Sequence, residues 1–77
     1  MNETWSDDLI AETREVLNLQ FLPFSDFVHF KHIKDGYGKI SLTNLIAGKL
    51  IIQDSETDIE TTYNTHDELI EAGWAID

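Results

Sequence analysis

Asp26-Phe27-Val28-His29-Phe30-Lys31-His32-Ile33-Lys34, followed by Asp35-Gly36-Tyr37-Gly38, is the stretch on which the fold turns. Phe27, His29, Lys31 and Ile33 alternate with Val28, Phe30 and His32, the period-two pattern of a strand. Phe24, Phe27 and Val28 also suit the start of a short helix, so residues 26–34 carry two readings. The β-branched and aromatic content and the glycine-containing turn favour the strand. A second strand is then expected over Lys39–Thr43, and a second turn over Asn44–Lys49 around Gly48. A third strand follows over Lys49–Gln53, where Leu50, Ile51 and Ile52 form an apolar run typical of a central position. Asp54–Asp58 reads as a polar turn and Ile59–Tyr63 as an edge strand.

One helix is expected before these strands in the chain and one after them. Leu9, Ile10, Thr13, Val16 and Leu17 recur on one helical face, which predicts a helix over Asp7–Leu17. Ser6 suits its N-cap, Asp7 and Asp8 favour the positive end of its dipole, and Trp5 with Ile10 has the spacing of a hydrophobic staple. Residues 19–25 form an apolar connection in which Pro23 ends any continuing helix by Leu22. Thr65-His66-Asp67-Glu68 is a capping box that opens a short helix over 66–72. Gly73 stands at its left-handed C′ position, and Trp74 is expected to fold back on Leu69. The fold class is therefore α+β, in the order α-β-β-β-β-α: an N-terminal helix, an antiparallel sheet of three to four strands, and a short C-terminal helix in a single domain over 1–77.

Charge is the most unusual property of the chain. Fifteen acids against five bases give a net charge of −10 in 77 residues. Residues 1–26 hold six acids and only Arg14. Residues 27–50 hold Lys31, Lys34, Lys39 and Lys49 against Asp35, and residues 51–77 hold eight acids and no base. A field of this sign repels phosphate, so direct nucleic-acid binding and docking on anionic membranes are disfavoured. With no cysteine, neither a disulfide nor a thiolate metal site can staple the core. No apolar run reaches membrane-spanning length, Met1 is followed by polar residues, and a cytoplasmic location is the simplest expectation.

Chemistry-bearing constellations are sparse. Asp54, Glu56, Asp58 and Glu60 place a carboxylate at every second position, which on an extended segment puts all four on one side. Oxygen ligands suit calcium or magnesium, but an EF-hand is missed, because Ile59 and Thr65 occupy the positions of its glycine and closing glutamate. The glycines at 36 and 38 are too few for a phosphate cradle. On the strand reading His29 and His32 point to opposite faces, and no serine or threonine stands in a nucleophile elbow. Neither a cofactor nor an enzymatic activity is expected.

The expected function is a small, acidic, non-enzymatic binding module that occupies a basic surface of a partner protein, as a nucleic-acid mimic or inhibitor does. Asp8, Glu12 and Glu15 on the outward face of the first helix, with Asp54, Glu56, Asp58 and Glu60, are the candidate contact residues. The alternative is an assembly role, in which the chain homo-oligomerises or docks through Phe21, Leu22, Phe24, Tyr37 and Trp74 while its acidity serves only solubility.

Overall fold

The computed structural model describes residues 4–20 and 25–77. Phe21, Leu22, Pro23 and Phe24, with the expected proline stop, lie outside the described residues. Helix α1 spans Asp7–Leu17, where the apolar spacing places it. Its cap is Ser6, whose hydroxyl accepts the Leu9 N–H at 3.3 Å. The other end closes as a Schellman motif, with Leu19 N–H on the Val16 carbonyl, Gln20 N–H on the Glu15 carbonyl, and Leu19 itself left-handed at φ 64°. Trp5 and Ile10, the expected staple, line one groove, and the Trp5 indole N–H donates to the Gly73 carbonyl at 2.9 Å.

The ambiguous stretch is a strand. β1 (Phe27–His32) pairs antiparallel with β2 (Tyr37–Ser41), and the turn between them occupies 33–36. His32 N–H bonds the Gly36 carbonyl there, and the Asp35 carboxylate accepts the Gly36 N–H. The second strand stops at Ser41, two residues earlier than expected. Ser41 is an N-cap whose hydroxyl accepts the Asn44 N–H at 3.1 Å, and it opens a second helix, α2 (Leu42–Ile46). That helix ends at Gly48 (φ 78°) in another Schellman motif, from Gly48 N–H to the Leu45 carbonyl and Lys49 N–H to the Asn44 carbonyl. β3 (Leu50–Asp54) and β4 (Glu60–Tyr63) follow as an antiparallel pair.

Helix α3 spans His66–Glu71 behind the expected capping box. Thr65 accepts the Glu68 N–H at 3.1 Å, and the Glu68 carboxylate reaches back to the Asn64 N–H at 2.8 Å. Gly73 is at φ 110°, as the C′ position requires. Trp74, buried in one cluster with Leu69, also opens a fifth strand, β5 (Trp74–Ile76), which pairs antiparallel with β1. The sheet order is β4-β3-β2-β1-β5. The protein is thus an α+β domain of three helices and a five-stranded antiparallel, curled sheet.

Alternation along the strands sends Val28, Phe30, Ile40, Leu50 and Ile52 to one face, where they meet Leu17, Leu45 and Leu69 of the three helices. Phe30 and Ile40 are fully buried and contribute about 2 kcal/mol each by leaving water. Trp74 lies in this core, so it is not the surface aromatic that the assembly reading requires. Its ring reaches Gly38, where an added Cβ would sit 3.1 Å from it, and its indole N–H donates to the Tyr63 hydroxyl at 3.2 Å. One side chain thereby links the two outer strands of the sheet, β5 and β4. Among the described residues no helix is long and apolar enough to cross a membrane.

Candidate functional site

Two surfaces of opposite character follow from this arrangement. Helices α1 and α3 pack on the same side of the sheet and carry Asp7, Asp8, Glu12, Glu15, Asp67, Glu68 and Glu71 with a single base, Arg14. Arg14 pairs with Asp67 at 2.6 Å, the only ion pair among the described residues. Both partners are well exposed, so the bridge orients the helices more than it stabilises them. Asp8 and Glu12 are exposed and Glu15 is half-buried, on the outward face of α1 where the sequence places them.

The second predicted set is arranged differently from the extended row that the spacing suggests. Residues 54–59 form a turn, in which Asp54 N–H bonds the Ile59 carbonyl and Asp58 N–H bonds the Asp54 carbonyl. Asp58 is left-handed at φ 61°. The Asp54 carboxylate accepts the Glu56 N–H at 2.8 Å and the Thr57 N–H at 3.1 Å, an Asx turn. Those bonds, the one from Glu56 foremost, hold its pKa below the usual carboxylate value. Asp54 therefore organises the loop, while Glu56, Asp58 and Glu60 are exposed. Among the described residues no three of His, Asp and Glu come together as metal ligands would.

The other face of the sheet is open along the β1–β2 hairpin, whereas Ala75 of β5 on that face is buried. Phe27, His29 and Lys31 of β1 and Tyr37 and Lys39 of β2 stand on it, with Phe27 36% and Tyr37 56% exposed. Lys39 Nζ lies 4.4 Å from the Phe27 ring centre and Lys31 Nζ lies 5.3 Å from the Trp5 ring. In a chain with three acids for each base, these two lysines rest on aromatic rings and not on carboxylates. The charge imbalance between the central hairpin and the rest was legible in the sequence. Which face of the sheet each group takes was not, because that depends on which side the helices pack.

His29 and His32 point to opposite faces, as the strand reading requires. His32 is part of the scaffold. Its Nδ1 accepts the Lys34 N–H at 3.2 Å, which leaves Nε2 to donate to the Ala72 carbonyl at 2.7 Å. The ring also packs edge-on against Trp74, with centroids 4.8 Å apart. A groove of about 860 Å³ opens beside it between the start of α1 and the end of α3, lined by Trp5, Ile10, His32, Ile33 and Ile70 among others. Both nitrogens of its one histidine are occupied by backbone groups, and the charged side chains Arg14, Lys34 and Glu71 line the groove beside its apolar residues. No known protein family, curated protein or solved structure gives a significant match to this chain.

Proposed function

We propose that the protein is a non-enzymatic binding module that applies its acidic helical layer to a basic surface of a partner protein. The observation that carries this reading is the composition of α1 and α3, seven carboxylates against one arginine on two adjacent helices. A one-signed layer of this kind accelerates encounter with a basic patch and fixes its orientation. In its sharpest form the layer stands in for the phosphates of a nucleic acid and blocks the protein that binds them. The test is capture of a partner from the native host at low salt, compared between the wild-type chain and a D8N/E12Q/E15Q variant. Retention by wild type and loss by the variant supports the reading, and equal retention by both removes it.

A second reading rests on the exposed aromatics of the open sheet face. Phe27 and Tyr37 suit docking of another apolar surface, including a second copy of the chain, with the acidity serving solubility. Salt separates the two, since apolar docking is insensitive to screening and charge-driven docking is not.

A further inference from the structure

The two rims of the sheet are treated differently. Along β5 the outward Ile76 N–H is taken by the Thr13 hydroxyl of α1 at 3.2 Å, so a helix covers that rim. β4 pairs with β3 alone. In an antiparallel ladder successive residues turn their backbone groups alternately toward the partner and away from it. The bond from Asp54 N–H to the Ile59 carbonyl sets the phase. Ile59, Thr61 and Tyr63 face β3, and Glu60, Thr62 and Asn64 face outward. The Asn64 N–H is occupied by the Glu68 carboxylate. Among the described residues, the N–H and C=O groups of Glu60 and Thr62 have no strand beside them.

We infer that this rim receives an extended, basic segment of the partner protein as a sixth strand. The inference rests on the reading of the chain as a binder of basic proteins, and it names the mode of contact. Charge selects the occupant. Glu60 stands on the rim itself, Glu56 and Asp58 lie in the loop before it, and the whole of 51–77 contains eight acids and neither Lys nor Arg. A second copy of β4 would bring a second set of the same carboxylates and is repelled, the usual protection of an edge strand. A segment with Lys or Arg at alternate positions sets those side chains beside Glu60 on the open face of the sheet. The ladder then supplies affinity that does not depend on sequence, and the carboxylates supply the selection.

The probe is a blocked octapeptide of alternating lysine and threonine, added to the full chain at low salt while amide hydrogen exchange is followed by NMR. Exchange at Glu60 and Thr62 is expected to slow by about tenfold or more, while Thr61 and Tyr63, already bonded to β3, change little. Thr62→Pro removes the outward donor without touching the β3 ladder, a position where edge strands accept proline. With the cross-strand contacts of β3 and β4 shown to be intact, this variant is expected to bind the peptide at least about fivefold more weakly. Peptide binding with unchanged exchange at Glu60 and Thr62, or undiminished binding by Thr62→Pro, overturns the strand-addition inference while the acidic-surface reading stands. Absence of peptide binding at low salt also overturns the strand-addition inference, whereas the acidic-layer reading falls only if D8N/E12Q/E15Q retains the captured partner as wild type does.

Discussion

Gly73 and Thr13 show how single residues hold this small core in register. Gly73 sits at φ 110° with its α-carbon pressed against β1, and an added Cβ would lie 2.7 Å from His32 Nε2 and 2.9 Å from Ile33 Cγ2. Gly73→Ala therefore combines a disfavoured backbone with a collision that displaces the His32 ring from the Ala72 carbonyl. We expect a loss of about 2 kcal/mol or more, read as a lower denaturant midpoint at unchanged slope. Thr13 is fully buried; its hydroxyl donates to the Leu9 carbonyl and accepts from Ile76 N–H. Thr13→Val keeps the shape and orphans the Ile76 N–H, so a loss of about 1–3 kcal/mol is expected, with faster amide exchange at Ile76. The sequence placed Thr13 on the apolar face of α1 but said nothing of this bond, whose partner lies 63 residues away.

At the scale of elements, what was legible is what carries its own local chemistry. α1 and α3 have caps, dipole-matched acids and apolar spacing within a few residues, and both appear where those signals put them. The missed elements are the two that depend on distant partners. α2 has five residues, and its Ser41 cap follows a run whose alternation reads as continuing strand; the Ser41–Asn44 spacing and Gly48 were its available signals. β5 has three residues and exists because β1 is beside it, so no window of sequence around Trp74 announces it. The β3–β4 loop was legible as polar, but its turn geometry arises from one carboxylate. Because the Asp54 pKa is lower in the fold than in the unfolded chain, its ionised form stabilises the folded state. That contribution is complete above the unfolded value of 3.8 and disappears as pH falls through the lower folded value. The stability difference between wild type and Asp54→Asn is thus expected to be level above about pH 5 and to shrink below about pH 4. A difference that grows on acidification would place the cause elsewhere.

At the scale of the whole molecule, the helices on one side of the sheet carry seven acids and one arginine. Lys31 and Lys39 on the other side lie on aromatic rings and share that face with Glu60. The candidate residues Asp8, Glu12 and Glu15 were legible because helical spacing alone puts them on one outward face. Glu56, Asp58 and Glu60 were legible as acids but not as neighbours of an unpaired strand rim, since that requires the sheet order. Neutralising Asp8, Glu12 and Glu15 relieves repulsion within α1 while removing one first-turn acid from the positive end of its dipole, so D8N/E12Q/E15Q is expected to fold within about 1 kcal/mol of wild type. Any loss of binding in this variant then reports on the surface and not on the fold. The most direct test of the proposed function is the affinity of the captured partner for wild type and for D8N/E12Q/E15Q across a salt series. Wild-type binding is expected to weaken steeply as salt rises. The variant is expected to bind at least about tenfold more weakly at low salt, with the two curves converging at high salt. Equal affinities for both chains, unchanged by salt, would contradict the proposed function.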